Sequence, residues 1–401
     1  MQRKIAEMEL AARKARNHLR RIADDEAVRW ALGVFLSVRV SLSALAIVIT
    51  TLRPLPELGH ERYLISLGLN PVSSRAEQLL LEVWQRWDVI HYQRIAAQGY
   101  TDLESSVFPP LFPALTKVVG TVLGGHHLLA ALLVSNLCFL VALVYFFKLT
   151  QVDYDREVAR RATLYLAIFP TAFFFFVPYS ESLFFLLVML FFYAARHQRW
   201  AAASVAAGLA AFTRVQGLVL IVPLSYEWLR YTGFNLRRAG SLVLLIVPVV
   251  LPPAAFVLTR HLAGYPPLSS LLETYWHTTV GAPWHNFANL VGRLASNRLT
   301  ANDLVDAVIA LPFLVLTLVS LLKSRLSYSL YSAATLAVVT SMVYPDLPLM
   351  NLPRHWLLLF PTFIFMAVQA KRPNIRRCIV YSSAPLLLLL TGMFVQWLWV
   401  A

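Results

Sequence analysis

The sequence predicts an all-α integral membrane protein whose helices cross the bilayer about nine to eleven times. Of its 401 residues, 58% are hydrophobic and 14% are charged, whereas a soluble domain carries roughly a quarter charged residues. The apolar residues gather into runs that are long enough to cross a bilayer. Most of the net charge of +14 lies in short segments between those runs, which is typical of cytoplasmic loops.

The basic charge does not indicate a nucleic-acid-binding protein, because no folded basic module of a known type is evident. The two cysteines, Cys138 and Cys378, lie within or beside apolar runs and share no metal-ligand spacing. We interpret them as small buried hydrophobes. The sequence has no HExxH, CxxC, P-loop or GxSxG motif. No cofactor or metal site is therefore predicted, although two outward-facing acids could bind a divalent ion without a recognisable spacing.

Residues 1–28 are predicted to form a cytoplasmic amphipathic segment. Apolar residues recur there at helical spacing among many lysines and arginines, which favours a helix on the cytoplasmic leaflet over a regulatory domain. The remainder, 29–401, is predicted to be one transmembrane domain. Its first span, 29–52, contains Arg39, whose charge is costly in lipid unless the side chain snorkels or faces a polar cavity.

Because the basic N-terminus is predicted to be cytoplasmic, residues 53–126 form the first outer loop. Within it, 109–123 is too short and proline-rich for a span, and we expect a re-entrant or interfacial segment. A second outer loop is predicted at 261–301. The remaining spans are apolar runs separated by basic loops: 127–150, 160–177, 180–196, 239–260, 302–322, 327–344, 353–370 and 377–399.

The segment 200–230 is long enough for one span. A single span would place Arg230, Arg237 and Arg238 outside, against the tendency of basic residues to remain in the cytoplasm. A broken pair of half-helices, bent near Thr213–Gly217, would return the chain to the cytoplasm. We favour this helical hairpin over the single span.

The interval WQRWDVIHYQRIAAQGYTDLESSVFPPLFP, which begins at Trp84, separates the first long apolar run from the next. On a helix, Trp84, Asp88 and His91 would share one face. An acid held beside an imidazole among interfacial tryptophans indicates chemistry at a membrane surface. The alternative is that Asp88 only caps a helix or pairs with Arg86 or Arg94 on a wet interfacial helix.

Three more ionisable residues are expected at membrane depth or at the ends of spans, where an unpartnered charge is costly. Glu181 follows Tyr179 in the sequence YSES, and it either acts on substrate or accompanies a helix N-cap. Arg354 either binds substrate or anchors a helix end by snorkelling. Arg214 lies between the half-helices without an easy route to the surface, so the functional interpretation is favoured there.

Four segments of the chain form an ordered set of motifs. They are WDxxHYxxIAxxGY with FPxLFP at 87–113, YSESLF at 179–184, TRVQG at 213–217 and NLPRHWLLLFP at 351–361. Together they resemble the PIG-V family, the GPI mannosyltransferase 2 proteins and their prokaryotic relatives. These are integral membrane enzymes of the GT-C superfamily, so the resemblance implies a GT-C-type bundle with outward-facing catalytic loops. It extends over roughly residues 30–370.

Three positions depart from the pattern of that family. Pro109 stands where phenylalanine is usual, Gln216 stands where asparagine is commoner, and His355 replaces a tyrosine. The acidic positions of the motifs are unchanged. The departures therefore concern the contacts with the acceptor and the lipid rather than the acids.

The resemblance implies transfer of a sugar, typically mannose, from a polyprenyl-phosphate or dolichyl-phosphate donor to an acceptor hydroxyl on a lipid or glycan. It also implies inversion at the sugar and no nucleotide-sugar site. An acceptor hydroxyl is a poor nucleophile, so a carboxylate must take its proton during the attack. Asp88 is the candidate base. His91 would orient Asp88 or the acceptor, and Glu181 would bind sugar hydroxyls or share the role of base.

The departing phosphate develops negative charge, which an arginine can bind through two parallel hydrogen bonds. Arg214 and Arg354 are the candidates for this role. The other candidate substrate-binding residues are polar or aromatic neighbours of these groups in the motifs. They are Trp87, Tyr92, Tyr179, Gln216 and His355.

Two other classes of function remain open. A secondary transporter of a polar or lipid-linked solute would also place charges in broken helices, but no internal repeat is evident. A non-catalytic subunit that presents a lipid-linked substrate would tolerate Asp88→Asn.

The expected partners are the lipid-linked donor, the acceptor and the bilayer. The membrane would be the plasma membrane in a prokaryote or the endoplasmic reticulum in a eukaryote, with a cytoplasmic N-terminus and an extracytoplasmic site.

Overall fold

The computed structural model describes residues 24–54, 63–69 and 74–400, and α-helices dominate them. The all-α fold predicted from the sequence is confirmed. The predicted amphipathic N-terminal segment falls mainly on residues 1–23, which lie outside the described residues. The helices are α1 Glu26–Leu52, α2 Arg75–Leu80, α3 Asp88–Gln98, α4 Leu111–Val122, α5 His127–Asp153, α6 Arg156–Ala167, α7 Glu181–Arg196, α8 Trp200–Thr213, α9 Ile221–Tyr231, α10 Ala239–Leu262, α11 Leu268–Trp276, α12 His285–Ala295, α13 Ala301–Lys323, α14 Leu326–Thr340, α15 Leu352–Trp356, α16 Phe360–Gln369 and α17 Pro373–Val395.

Several of these helices are suited to lipid. Within the described residues, five are long and apolar enough to cross a membrane, namely α1, α5, α10, α13 and α17. Four shorter apolar helices, α4, α8, α14 and α16, accompany them. The protein is therefore an integral, multi-pass membrane protein. The number of nine to eleven crossings stays a prediction.

Two predicted spans are interrupted, each next to a proline. In the predicted span 160–177, helix α6 ends before Pro170 and the chain continues as a 3₁₀ turn, Ala172–Phe175. The predicted span 353–370 is divided into α15 and α16, and Pro361 lies in the first turn of α16. Proline lacks an N–H and disfavours the helical conformation of the residue before it. The first interruption lets the chain turn into the start of α7.

The predicted broken helix pair is present. Helix α8 ends at Thr213, Arg214 is extended (φ −151°, ψ 138°), and the 3₁₀ helix Val215–Leu220 leads into α9. Trp200 at the start of α8 packs its ring 5.2 Å from that of Trp228 near the end of α9. The two ends of the segment therefore meet, as the hairpin interpretation requires and a single span does not.

Gly217 allows the 3₁₀ helix to lie directly against α8. A Cβ at this position would stand 2.2 Å from the backbone nitrogen of Ala211 and 2.4 Å from the carbonyl carbon of Ala210. We expect Gly217→Ala to lower the free energy of unfolding by about 1–3 kcal/mol through overpacking. The fall is measured as a lower Tm, followed by tryptophan fluorescence in detergent. Gly240→Ala is the matched control, because a Cβ there meets no atom of the described residues within 4 Å. Equal Tm values for the two variants would contradict this packing.

The packing of the helices determines where Glu181 and Arg214 meet. Helix α7 packs between α5 and α8, and α8 also packs on α10. Helix α7 begins at Glu181, and α8 ends beside Arg214, at the same end of the core. A small antiparallel ribbon, β1 Thr279–Val280 with β2 Met342–Val343, joins the segment 261–301 to the chain that leads into α15. Four separate parts of the sequence thus converge at one end of the bundle.

Candidate active site

A buried cluster of two carboxylates and two guanidinium groups lies at that end of the bundle. The Arg354 side chain donates from Nη2 to Asp88 Oδ2 at 2.7 Å and from Nε to Glu181 Oε1. Arg214 Nη1 lies 2.7 Å from the same Glu181 oxygen. No member is more than 8% exposed. Arg354 therefore links the two acids, and all four charges are matched within the cluster.

The helix ends explain the placement of these charges. Asp88 and Glu181 are the first residues of α3 and α7, where the positive end of the helix dipole favours an acid. Arg214 follows the last residue of α8, where the dipole favours a cation. Arg354 lies in the short helix α15, which follows Asn351 in a left-handed conformation (φ 64°). Each charged group of the cluster thus lies at a helix terminus or in a short helix rather than in the middle of a long span.

Polar and aromatic side chains surround the cluster. Ser180 Oγ accepts a hydrogen bond from Arg214 Nη1 at 3.1 Å and lies 2.8 Å from the hydroxyl of Tyr92. Burial raises the pKa of the Tyr92 phenol, so this group stays protonated. The Arg354 guanidinium lies over the ring of Tyr179, 4.5 Å from its centroid, a cation–π contact. These contacts hold both arginines in fixed positions.

His355 completes the surroundings of Arg214. Its Nδ1 lies 3.1 Å from Arg214 Nη2. A guanidinium only donates hydrogen bonds, so Nδ1 accepts, and the proton of the neutral ring is on Nε2. The imidazole therefore offers a donor at Nε2 while it orients Arg214. A tyrosine at this position could not accept a hydrogen bond through a ring nitrogen.

Two polar atoms inside the cluster have no hydrogen-bond partner among the described residues. They are Glu181 Oε2, an acceptor, and Arg214 Nε, a donor. Buried polar groups are usually paired, and leaving one unpaired costs about 1–3 kcal/mol. A ligand with a hydroxyl group could donate to Glu181 Oε2, and one with an anionic oxygen could accept from Arg214 Nε.

Comparison with known proteins gives one family. A family model described as mannosyltransferase (PIG-V) matches residues 45–247, about half of the chain. The chain belongs to the PIG-V mannosyltransferase family. The family predicted from the four motifs is therefore confirmed. Asp88, Glu181 and Arg214 lie inside the matched region, whereas Arg354 lies beyond it.

One similar solved structure is that of ArnT from Cupriavidus metallidurans bound to undecaprenyl phosphate. The two chains are 15% identical, with a TM-score of 0.46. The alignment covers 83% of this chain, which spans 60% of the length of ArnT. None of the curated proteins compared with the chain matches it.

The PIG-V motif at the start of α3 has a different local structure from the one we predicted. Helix α3 begins at Asp88, and Trp84 belongs to a separate 3₁₀ turn. Trp87 between them adopts φ 53° and ψ −123°, a conformation that interrupts a helix. The prediction that Trp84 shares a helical face with Asp88 and His91 is therefore wrong. The unusual backbone at Trp87 aims Asp88 toward Arg354 instead.

The alternative partners considered for Asp88 are occupied elsewhere. Arg86 donates to the carbonyl of Val395 at 3.1 Å, at the end of α17. Arg94 pairs with Asp102 at 3.0 Å. The interpretation that Asp88 only pairs with one of these neighbouring arginines is therefore wrong.

His91 and Gln216 lie beside the cluster rather than in its ion pairs. His91 Nδ1 lies 2.9 Å from Ser105 Oγ, and its ring stacks on Phe108 with centroids 5.3 Å apart. Trp276 of α11 packs against the same imidazole. Gln216 is half-buried in the 3₁₀ helix that follows Arg214. The roles predicted for these two side chains stay predictions.

Arg39 shows how a charge within a predicted span is accommodated. Its Nη1 donates to the carbonyl of Phe176 at 3.0 Å, and its guanidinium lies 4.8 Å from the centroid of the Trp84 ring. Asn136 donates to the same carbonyl at 3.0 Å. Arg39 therefore faces the protein and supports the chain just before Glu181.

Sequence reasoning missed several neighbours of the cluster. Tyr344, after β2, is buried beside Thr278 and Asn351, and burial raises the pKa of its phenol. Two tryptophans near the C-terminus, Trp397 and Trp399, were also missed. The pattern WLW at 397–399 is an aromatic signal, but it is equally typical of a helix end at the membrane interface.

The C-terminal tryptophans pack against the residue that positions Asp88. The ring of Trp87 meets those of Trp397 and Trp399 edge-on, with centroids 5.3 and 4.8 Å apart. We expect Trp399→Ala to lower kcat about tenfold, because small misplacements of a reacting group are costly, and to lower Tm through the lost aromatic contact. The variant Trp399→Phe keeps an aromatic edge and should recover most of the activity. Leu398→Ala, at a half-exposed neighbour, is the control. A change in KM alone would contradict a positioning role.

Proposed function

We propose that this protein is an inverting membrane glycosyltransferase that moves mannose from a polyprenyl-phosphate donor to a hydroxyl of a lipid or glycan acceptor. The buried cluster of Asp88, Glu181, Arg214 and Arg354 is the observation that carries this proposal. It combines the two kinds of group that the reaction needs, a carboxylate base and cations for a leaving phosphate. Family membership supports the sugar, and the apolar helices support a lipid-linked donor.

The reaction is a single displacement at the anomeric carbon. The acceptor oxygen forms the new glycosidic bond, and the bond between that carbon and the phosphate oxygen breaks. Asp88 takes the proton of the acceptor hydroxyl, and the carrier phosphate leaves with the bonding electron pair. The arginines stabilise the charge on this phosphate. Atoms and charge balance without a further reactant.

Arg354 couples substrate binding to the base. In the structure Arg354 donates to both Asp88 and Glu181. An oxygen that accepts a hydrogen bond from an arginine is less available to the acceptor hydroxyl. When the donor phosphate takes hydrogen bonds from Arg354, Asp88 Oδ2 becomes available to accept the proton of that hydroxyl. Binding of the donor thus prepares the site for the acceptor.

Glu181 is the candidate for binding the sugar. Its Oε1 is held by both arginines, whereas Oε2 has no partner among the described residues. A sugar hydroxyl can donate to this oxygen and satisfy it. Glu181 therefore acts in substrate binding, and Asp88 acts as the base. The active site lies on the extracytoplasmic side, as the distribution of basic loops predicts.

A cavity on the flank of the bundle supports a prenyl chain. It has a volume of about 460 Å³ and lies between α1, α6 and α17. Its walls are mostly apolar, with Val34, Leu42, Ile168 and Leu387 among the lining residues. We assign this cavity to part of the carrier chain. Helix α1 lines it and also carries Arg39, which contacts the segment before Glu181.

Sugar transfer by the purified full-length protein in lipid nanodiscs tests the proposal. Polyprenyl-phosphate-[¹⁴C]mannose serves as donor and a membrane-lipid extract serves as acceptor, with and without a chelator. We expect a labelled product from the wild type and from Asp346→Asn, a matched change at an exposed acid outside the cluster. Loss of product in the presence of the chelator would show that sugar transfer requires a divalent ion. Transport of the intact carrier across the bilayer without sugar transfer would favour the transporter instead.

A further inference from the structure

A second cluster of arginines lies at the opposite end of the bundle from the proposed active site. Helix α7 begins at Glu181 and ends at Arg196. At a rise of 1.5 Å per residue, these two residues are about 22 Å apart along the helix axis. Near Arg196, a cavity of about 210 Å³ is lined by Arg230, Arg325 and Glu227 as well. The reaction proposed above uses none of these groups.

The charges in and around this cavity do not cancel. Arg325 donates to both oxygens of Glu227, at 2.9 and 3.0 Å. Arg196 pairs with Asp153. The side chain of Arg230 is exposed and makes no hydrogen bond or ion pair with any described residue. Three arginines therefore face two carboxylates, which leaves one positive charge in surplus.

Two hydrogen-bond donors in the cavity walls also lack a partner. Arg196 Nε and Trp200 Nε1 are buried and unpaired within the part of the chain that the structure describes. Such groups are uncommon in native proteins. Both can only donate, so the group that satisfies them must be an acceptor. Surplus positive charge together with unpaired donors favours an anionic oxygen ligand, and arginines match phosphate geometry well.

The aromatic residues at the cavity are of the kind found at the level of lipid headgroups. The rings of Trp200, Trp228 and Tyr231 pack together, with centroids 5.2 to 5.7 Å apart. Tryptophan and tyrosine are enriched where the membrane meets water. On the surface nearby, the apolar side chains Val205 of α8 and Phe234 after α9 are 53% and 60% exposed. Acyl chains can lie on these side chains while a headgroup enters the cavity.

We propose that this cavity binds the phosphate of an anionic phospholipid. Arg230 and Arg196 donate to the phosphate oxygens, and the indole N–H of Trp200 donates a further hydrogen bond. The acyl chains lie against the exposed apolar face of α8. The bound lipid therefore contacts three parts of the chain. They are the segment from the end of α7 to the start of α8, the end of α9, and the residue before α14, which is Arg325. The lipid thus stabilises the helical hairpin that positions Arg214 at the other end.

Native mass spectrometry of the full-length protein tests the site, with dioleoyl phosphatidic acid, dioleoyl phosphatidylcholine and inorganic phosphate titrated in separate arms. We expect phosphatidic acid to bind at least about tenfold more tightly than phosphatidylcholine. It should also raise Tm, which is followed separately by tryptophan fluorescence in detergent. Arg230→Gln should weaken that binding about tenfold, the loss of one charge-assisted hydrogen bond. Arg230 has no partner among the described residues, so this variant is expected to fold normally.

Two further variants separate a built site from general surface charge. Arg237→Gln removes the same charge from a nearby exposed arginine outside the cavity and should change affinity less than twofold. Trp200→Phe keeps the aromatic packing and removes the indole N–H, so it should weaken phosphatidic acid binding without lowering Tm in the absence of lipid. Equal losses in Arg230→Gln and Arg237→Gln would overturn the proposal. So would equal binding of the two lipids, or full stabilisation by inorganic phosphate alone.

Discussion

Replacing Arg354 with glutamine is expected to lower the free energy of unfolding by about 3–5 kcal/mol and to abolish sugar transfer. Removing one partner from a buried ion pair leaves an uncompensated charge, and the cost is in this range. Arg354 is 6% exposed and pairs with both Asp88 and Glu181, so two buried carboxylates lose a partner at once. The fall in stability is measured as a lower Tm in detergent. Activity is measured by transfer of labelled mannose.

Arg94→Gln is the matched control for this variant. Arg94 pairs with one carboxylate, Asp102, and both side chains are about one fifth exposed. Water reaches part of this pair, and only one carboxylate loses a partner, so the loss should be smaller than at Arg354. The two variants should therefore differ clearly in Tm. An equally small fall in Tm in both variants would show that Arg354 does not stabilise the buried cluster.

Asp88→Asn is expected to lower kcat by about 10²–10⁴-fold, the usual contribution of a general base. The amide keeps the shape of the side chain and can still accept a hydrogen bond from Arg354, but it cannot take a proton. Glu181 remains to balance the arginines. Stability should therefore fall less than in Arg354→Gln. Single-turnover transfer of labelled mannose measures the effect at saturating donor.

Asp346→Asn again serves as the matched acid outside the cluster. Donor binding should survive in Asp88→Asn, which separates a catalytic role from a binding role. Full activity of Asp88→Asn would remove Asp88 from the mechanism and transfer the role of base to Glu181. It would also agree with a non-catalytic subunit, if Glu181→Gln were equally active.

The members of the buried charged cluster could be predicted from sequence because each is an ionisable residue in or beside an apolar run. Such residues are rare and costly in lipid, so Glu181 and Arg214 stand out. Their arrangement could not be predicted by the same reasoning. The contact between Asp88 and Arg354 joins positions 266 residues apart, and only the resemblance to the PIG-V family grouped them.

Local conformation accounts for most of the differences between prediction and structure. The sequence around Asp88 has helical periodicity, yet α3 begins only at Asp88 because Trp87 adopts a positive φ. Contacts with Trp397 and Trp399 near the C-terminus accompany that conformation. Tertiary contacts between distant segments are not visible in a periodicity of 3.6 residues.

The arginines at the opposite end illustrate a second limit. In sequence, Arg196 and Arg325 look like ordinary residues of basic cytoplasmic loops. Only the folded chain shows that they line one cavity together with Arg230. The same property, positive charge beside an apolar run, thus marks topology in sequence and a candidate binding site in the structure.

The anomeric configuration of the product tests the proposed mechanism most directly. The wild-type protein in nanodiscs is given a polyprenyl-phosphate-mannose donor of one defined configuration, and the linkage formed is determined by NMR. A single displacement, with Asp88 taking the acceptor proton, predicts a product of the opposite configuration only. A product that retains the configuration of the donor would contradict the account, because a single back-side displacement cannot retain it.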